Sequence, residues 1–332
     1  MGTSVRLFLF AVACFLVPAR GQDVNPLTLV QTIALPDVQG SLNHMSVDAA
    51  RQRLFAPAPS DKLVEIVDLR TGKLLRSLAS ERPAAARYAP EFDQLYVSSG
   101  RYLYVYGGSD FALIARLDLQ SRLDELVYDA RSRRLYAGCM TDGQTGIAVI
   151  AVPEEKLLMR IPLPASPQGM AVGEAGTRIF ANLPDTSRIE VVSVDGRKSV
   201  ARWGLGGTSD NFPLALDEPN HRLFAACRTP TELIVLDTQS GKVIARVPCV
   251  GDADDAWYDA LTKRVYVSGG EGRISVVEQQ DADHYHLVGS VTTIEGAATS
   301  VFSNELNSLY VGVPRRANSP ARVLVFRPSG RR

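Results

Sequence analysis

Residues 232–270 read ELIVLDTQSGKVIARVPCVGDADDAWYDALTKRVYVSGG, and this stretch decides the fold. It contains three short apolar runs, LIVL, VIARV and RVYV, separated by turns that carry Gly, Asp and Ser. Short β-branched runs between such turns are typical of strands joined by hairpins, and sustained helical periodicity is missing here. The stretch therefore predicts consecutive antiparallel β-strands.

The end of this stretch, a turn followed by an apolar-aromatic pair, recurs seven times along the chain. The intervals between successive aromatic residues are 41, 40, 44, 44, 42 and 44 residues. This is the length of four short strands with their turns. The repeated aromatic residues are Phe55, Tyr96, Tyr136, Phe180, Phe224, Tyr266 and Tyr310. The period predicts an all-β fold, a seven-bladed β-propeller of four-stranded antiparallel blades.

The seventh unit ends early and has only three predicted strands, Thr299–Ser303, Leu309–Val313 and Arg322–Phe326. Leu27–Leu35 resembles the outer strands of the other units, so we expect it to complete the last blade. Closure of this kind ties the two ends of the chain together and leaves no blade half paired. We therefore expect a signal peptide at 1–21, one propeller domain at 22–328 and a polar tail at 329–332.

The first 21 residues have the layout of an export signal. Arg6 supplies a positive charge, Leu7–Val17 is an apolar run, and Ala19-Arg20-Gly21 is a small-x-small cleavage site. The run of 11 residues is shorter than the roughly 20 that a spanning helix needs, so we expect no membrane span. Cys14 lies inside the apolar run rather than after it, which disfavours a lipoprotein. The sequence predicts a secreted or periplasmic protein.

Charge and cysteine content exclude several classes of protein. Removal of the signal takes two arginines from a chain with 36 basic and 36 acidic residues, which leaves a net charge near −2. A net charge near −2 gives no indication of a basic surface that would bind nucleic acid. Cys139, Cys227 and Cys249 show no C-x-x-C or C-x-x-C-H spacing, so zinc ribbons, redox pairs and covalent haem have no support. Cys227 and Cys249 could form a disulfide, but strands two apart in a sheet are separated by about 9.6 Å, which favours free thiols.

Residues 232–270 resemble the YVTN-type repeat, and the whole mature chain is similar to the YncE-like seven-bladed propellers of exported bacterial proteins. The nearest matches to the Tyr-Val-Thr-Asn core are Tyr96-Val97-Ser98-Ser99, Tyr266-Val267-Ser268-Gly269 and Phe180-Ala181-Asn182. The resemblance covers all seven units and implies the architecture. It implies no single activity, because proteins with this repeat include surface-layer proteins, lactonase-type hydrolases and haem- or quinone-associated propellers. Function has to be argued from a site.

The mouth of the central channel is where the sequence predicts such a site. We name the four strands of a blade A to D from the axis outward; the D-to-A and B-to-C loops then share one face, where the A strands begin. Alignment of the blades on the repeated aromatic residues brings three polar pairs to this face. They are Asn43-His44, Asp124-Glu125 and Asp254-Asp255, and Arg87 could neutralise them or hold an anionic ligand.

These pairs could hold a divalent cation. Carboxylate oxygens suit Ca²⁺ or Mg²⁺, and an imidazole would favour Zn²⁺ or Mn²⁺, with His44, Glu125 and Asp255 as the ligands. The simpler interpretation is a set of solvated carboxylates at loop ends, because Asp and Asn cap turns in many proteins.

Strong catalytic signatures are absent from the sequence, including G-x-x-x-x-G-K-[ST], G-x-S-x-G and H-E-x-x-H. The sequence therefore favours a monomeric, non-catalytic binding scaffold outside the cytoplasm, which recognises a protein, peptide or cell-envelope ligand on its loop face. The alternative is a metal-dependent, lactonase-like hydrolase. In that case a divalent cation at the channel mouth would bind the attacking water, and a neighbouring carboxylate would act as general base.

Overall fold

The computed structural model describes residues 25–173 and 176–329, together with Gly2. Apart from Gly2, the predicted signal at 1–21 lies outside the described residues, as do residues 330–332 of the predicted tail. The described residues form 28 β-strands and two short 3₁₀ turns, Pro59–Asp61 and Pro184–Thr186. No helix among them is long and apolar enough to cross a bilayer.

The strands make seven four-stranded antiparallel sheets, which are the blades of a β-propeller. The first strand, β1 (Leu27–Leu35), belongs to the last blade, and the others follow in chain order from the axis outward. Blade one consists of β2 (Ser46–Asp48), β3 (Arg53–Ala58), β4 (Leu63–Asp68) and β5 (Lys73–Ala79). Blade two consists of β6 (Pro83–Ala89), β7 (Gln94–Ser99), β8 (Tyr102–Gly107) and β9 (Leu113–Asp118). Blade three consists of β10 (Leu123–Asp129), β11 (Arg134–Cys139), β12 (Gly146–Ala151) and β13 (Lys156–Pro162).

The remaining blades follow the same plan. Blade four consists of β14 (Gly169–Gly173), β15 (Arg178–Leu183), β16 (Arg188–Ser193) and β17 (Lys198–Gly204). Blade five consists of β18 (Ser209–Asp217), β19 (Arg222–Thr229), β20 (Thr231–Asp237) and β21 (Val243–Pro248). Blade six consists of β22 (Ala253–Asp259), β23 (Arg264–Gly269), β24 (Arg273–Gln279) and β25 (Tyr285–Thr292). Blade seven takes β26 (Ser300–Ser303), β27 (Ser308–Val313) and β28 (Ala321–Pro328).

Blade seven joins the two ends of the described chain, which confirms the predicted closure. Its strand order from the axis is β26, β27, β28 and β1. Strand β1 pairs antiparallel with β28, from Leu27 opposite Pro328 to Leu35 opposite Ala321. Because β1 covers the outer edge of β28, the last sheet has as many strands as the other six.

The repeated aromatic residues lie on the B strands and are buried at the contacts between blades. Their exposed fractions are 0% for Phe55, Tyr96, Tyr136, Phe224 and Tyr266, 2% for Phe180 and 3% for Tyr310. The ring centroid of Tyr266 lies 5.2 Å from that of Phe302 in the next blade. The Tyr266 hydroxyl donates to Asp259 Oδ2 at 3.0 Å, and Asp259 Oδ1 accepts the backbone N–H of Leu261 and Thr262. One aspartate thus fixes the A-to-B turn and holds the repeated aromatic residue.

The outermost strand of each of these seven blades contains a β-bulge, which the sequence analysis did not predict. At each bulge the register shifts by one residue, so that one side chain of the outer strand has no opposite partner. The extra residues are Val30, Leu75, Ile114, Leu158, Val200, Ile244 and Val288. A bulge bends an edge strand and interrupts its unpaired hydrogen-bonding groups. The seven bulges therefore blunt the outer edges against pairing with another chain.

Candidate functional site

The loops from D to A strands and from B to C strands lie on one face of the propeller. The N–H of Ser80, in a D-to-A loop, donates to the carbonyl of Lys62, in a B-to-C loop, at 2.8 Å. At the start of the inner strands, the carbonyl of His44 accepts the N–H of Ala86 from the next blade at 3.0 Å. Polar residues that are scattered in sequence thereby meet at one end of the channel.

A cavity of about 370 Å³ runs along the inner strands of blades one to six, from His44 and Asp254 at the loop face to Tyr88 and Tyr258 near the far ends of their strands. Its volume is near the lower end of the range of small-ligand pockets, about 300–1,000 Å³. The wall includes five of the predicted site residues, His44, Arg87, Glu125, Asp254 and Asp255. The cavity therefore gathers two cationic and three acidic side chains from four blades.

His44 and Asp255 form a buried ion pair between blades one and six. His44 Nδ1 lies 3.3 Å from Asp255 Oδ1, and each side chain is 9% exposed. Asp255 Oδ2 accepts the N–H of Ser300 at 2.7 Å. Burial opposes the charged imidazole, but the carboxylates of Asp255, Asp254 and Glu125 outweigh burial and raise the pKa of His44 to about 10. His44 therefore carries a proton on both ring nitrogens at neutral pH.

Arg87 and Glu125 form a second and looser charge pair. Arg87 Nη1 donates to the carbonyls of Met45 and Ala86, both at 2.9 Å. Arg87 Nη2 lies 3.9 Å from Glu125 Oε1, which is beyond hydrogen-bond distance. Glu125 Oε2 accepts the N–H of Met170 at 2.8 Å. The guanidinium is therefore fixed by backbone carbonyls and only weakly engaged by the carboxylate.

The two groups of this pair respond differently to burial. Burial raises the pKa of Glu125 to about 7, although the positive charges of His44 and Arg87 act in the opposite direction. Burial lowers the pKa of Arg87, and the carboxylates of Glu125 and Asp255 oppose that change. The raised pKa brings the proton exchange of Glu125 close to neutral pH.

Asp254 is held by Arg228, a residue that the sequence analysis missed. Arg228 Nη2 lies 3.3 Å from Asp254 Oδ1, and Nη1 lies 3.0 Å from Asp252 Oδ1. The guanidinium carbon lies 3.7 Å from the ring centroid of Phe212, a cation–π contact. Burial raises the pKa of Asp254. Arg228 lies at the end of strand β19, just before a B-to-C loop. This position on the loop face could have been used to predict that Arg228 lies near the polar residues at the channel mouth.

Asn43 and Asp124 lie outside the cavity wall. The side-chain oxygen of Asn43 accepts the N–H of His44 at 3.0 Å, so it shapes the backbone that presents the imidazole. Asp124 accepts the Ser98 hydroxyl through its backbone carbonyl at 2.9 Å. The charge of its carboxylate helps to raise the pKa of Asp254. Both residues therefore act on the cavity through their neighbours.

His44, Glu125 and Asp255 share one cavity, but protein groups engage all three side chains. In the part of the chain that the structure describes, no group of three or more His, Cys, Asp and Glu side chains is arranged to hold a metal ion. The divalent cation therefore stays a prediction of the sequence.

The cysteines Cys139, Cys227 and Cys249 are free thiols in the structure. Burial raises the pKa of Cys227 to about 11 and that of Cys249 to about 12. Protonated thiols are poor nucleophiles and poor metal ligands. This agrees with the free-thiol interpretation of the sequence.

Comparison with known proteins places the chain among propellers. No family model matches it. The YncE proteins of Salmonella typhi and Salmonella typhimurium are each 23% identical to it over 199 residues, a match that covers 58% of this chain and 54% of each relative. The chain thus spans about half the length of the curated relatives it matches.

Two solved structures share its fold at low sequence identity. A chain of Kuenenia stuttgartiensis hydrazine synthase superposes with a TM-score of 0.71 at 17% identity, over 86% of this chain and 97% of that chain. A chain of the mitotic checkpoint complex superposes with a TM-score of 0.77 at 12% identity, over 99% of this chain and 100% of that chain. The protein is thus a seven-bladed β-propeller that resembles the YncE proteins in sequence, as its repeat predicted.

Proposed function

We propose that this protein is a non-catalytic binding scaffold that works outside the cytoplasm and recognises a peptide, protein or cell-envelope ligand on its loop face. The cavity at the channel mouth is the centre of the binding site. The observation that carries the proposal is this cavity of about 370 Å³, whose largely uncharged wall carries five charged side chains from four blades. Binding sites in proteins are concave spaces of this size with a few precisely placed polar groups.

The charged groups of the cavity favour binding over catalysis. A hydrolytic site needs a nucleophile or base beside an open position for the reacting atom. Asp255 already accepts hydrogen bonds from His44 and Ser300, and Glu125 accepts one from Met170 and faces Arg87. The protein holds these carboxylates in fixed orientations that suit a ligand. Glu125 also exchanges its proton near neutral pH, so turnover of a bound probe is the test that separates binding from catalysis. A scaffold role uses this rigidity directly.

The location outside the cytoplasm rests on the N-terminal sequence. Residues 1–21 have the three regions of an export signal. A propeller closed by its own first strand is also a suitable platform for loops that recognise ligands, because the blades hold the loops in fixed positions.

A fluorescence titration of the mature chain, residues 22–332, tests the proposal. Trp257 lines the cavity and Trp203 does not, so a Trp203→Phe background makes the emission a reporter of the site. The probes are amino acids, dipeptides, amino sugars, uronic acids and dicarboxylates. The matched variants are Arg87→Met, in the cavity wall, and Arg101→Met, which removes an exposed ion pair with Asp118 on the same blade.

We expect at least one class of probe to change the emission of the parent and of Arg101→Met at low concentration, and Arg87→Met to weaken that binding at least tenfold. Chemical turnover of the bound probe would contradict the non-catalytic role. Binding that Arg87→Met leaves unchanged, or the failure of every class of probe, would contradict the placement of the site.

A further inference from the structure

Hydrogen-bond donors of the cavity wall are left without acceptors. Arg87 Nη1 donates to two backbone carbonyls. The nearest carboxylate to Arg87 Nη2 is that of Glu125, at 3.9 Å, and Arg87 Nε has no acceptor among the described residues. His44 is 8% exposed, and its Nδ1 faces Asp255 while its Nε2 has no acceptor in the described part of the chain. None of these donor atoms is among the fully shielded polar atoms without a partner, so they are open to the cavity. A ligand that accepts from them there gains charge-assisted hydrogen bonds.

The two donor groups are neighbours. The N–H of Ala86 donates to the carbonyl of His44, so Arg87 and His44 are carried by backbone segments that touch each other. Arg87 is also bonded to the carbonyl of Met45, the residue after His44. An anionic group in the cavity would therefore meet a guanidinium and an imidazolium together, a pairing that suits a carboxylate.

Acceptors without donors stand in the same cavity. Glu125 Oε1 accepts no hydrogen bond from the described residues, and its charge partner Arg87 lies 3.9 Å away. Asp254 Oδ2 likewise has no hydrogen-bond donor among the described residues. Both side chains line the cavity together with Arg87 and His44. A positively charged group on the ligand would satisfy these oxygens.

The looseness of the Arg87–Glu125 pair is a local feature and not a property of every ion pair in the protein. Arg101 and Asp118 approach to 2.5 Å, and Arg246 and Glu232 approach to 2.6 Å. A pair that served only to neutralise two buried charges would be expected to close to a similar distance. The 3.9 Å gap keeps both charges available to a third group.

From these contacts we infer that the channel mouth takes a zwitterionic ligand of the amino-acid class, a free amino acid or a short peptide, whose carboxylate binds Arg87 and His44 and whose ammonium binds Glu125 and Asp254. This inference rests on the proposed binding function and names the ligand class of the same site. A purely anionic ligand would lie against Glu125 and Asp255, and a purely cationic one against Arg87 and His44. Only a ligand with both charges satisfies both sets of groups.

Calorimetric titration with chemically blocked ligands tests the inference. The probes are the twenty standard amino acids and alanyl-alanine, followed by the N-acetyl and C-amide derivatives of the tightest binder. A lost charge-assisted hydrogen bond weakens binding about 10- to 100-fold, so each derivative should bind that much more weakly than its parent. Arg87→Met should lose the preference for the free carboxylate, Glu125→Gln should lose the preference for the free ammonium, and Arg101→Met should keep both.

The outcomes separate this inference from the broader proposal. Equal affinity for the parent and both derivatives, or tighter binding of either derivative, would overturn the zwitterion. If no amino acid or dipeptide binds but an amino sugar, uronic acid or dicarboxylate does, the ligand class is wrong and the scaffold function stands. If no probe of any class binds, the placement of the binding site in this cavity fails, and the zwitterion inference fails with it. Unfolding midpoints of the variants, measured alongside, show whether a loss of binding is a loss of the fold.

Discussion

The buried pair of His44 and Asp255 should make a large and pH-dependent contribution to stability. The pKa of His44 rises from 6.5 to about 10 on folding, and one pKa unit corresponds to about 1.4 kcal/mol, so the protonated imidazole contributes about 5 kcal/mol at most. Because the folded pKa lies above the unfolded one, this contribution is fully present below pH 6.5 and is lost as the pH rises through 10. His44→Gln also leaves Asp255 buried without its partner, which costs about 3–5 kcal/mol in comparable pairs.

Urea unfolding of the parent and of His44→Gln between pH 6 and pH 11 measures this contribution. We expect the variant to lose about 3–5 kcal/mol of unfolding free energy at pH 6, with the difference shrinking as the pH passes 10. Asp281→Asn is the matched control, because it removes the exposed pair of Asp281 and His284, which should contribute no more than about 1 kcal/mol. A cost below about 1 kcal/mol for His44→Gln at pH 6, or a cost that does not change with pH, would refute the reasoning.

Three further predictions concern the site, the closure and the thiols. The folded pKa of Glu125 is raised from 4.5 to about 7, so its ionised form lowers stability above pH 7. Glu125→Gln should therefore raise the unfolding free energy at pH 8 by up to about 3 kcal/mol and should have no such effect below pH 4.5. Urea titration at pH 8 and pH 4 checks this, and a gain in stability at pH 4 would contradict it. Deletion of residues 27–35 exposes the edge of β28, so the unfolding midpoint should fall and size-exclusion chromatography should show oligomers. A monomer with an unchanged midpoint would show that the first strand does not close the ring. Cys139 and Cys227 should react with a thiol reagent only after unfolding, and the half-buried Cys249 should react more slowly in the folded protein than in the unfolded one. The unfolded mature chain should give three thiols, whereas one thiol would reveal a disulfide.

The fold could be predicted from the sequence because each blade repeats one physical solution. A buried aromatic residue on strand B and the turn before it recur at nearly constant spacing, and Asp259 with Tyr266 shows the hydrogen bond that links the two. The closure could also be predicted, since the seventh unit lacked a strand and Leu27–Leu35 had the character of an outer one. These are local signals that need no knowledge of contacts between blades.

The bulges had a signal that the sequence analysis did not use. Adjacent apolar residues such as Leu74-Leu75 and Leu113-Ile114 interrupt the alternation expected of a strand with one face in water. A single pair of this kind is uninformative. The pattern becomes meaningful only when several blades are aligned, as the register shifts in the outer strands now show.

The site could be predicted in outline, but its pairings could not. Alignment of the blades brought His44, Glu125 and Asp255 to one opening, because the repeat fixes where each inner strand begins. Which acid neutralises which base depends on distances of a few ångströms between blades that are far apart in sequence. The contact of Arg228 with Asp254 and the loose approach of Arg87 to Glu125 are set by that packing.

The most direct measurement of the central claim is a crystal structure of the mature chain grown with the amino acid or dipeptide that binds most tightly. The account predicts density in the channel mouth, with the ligand carboxylate within hydrogen-bond distance of Arg87 Nη2 and His44 Nε2 and the ammonium beside Glu125 Oε1. A ligand bound elsewhere, or a metal ion coordinated by His44, Glu125 and Asp255 in that cavity, would contradict it.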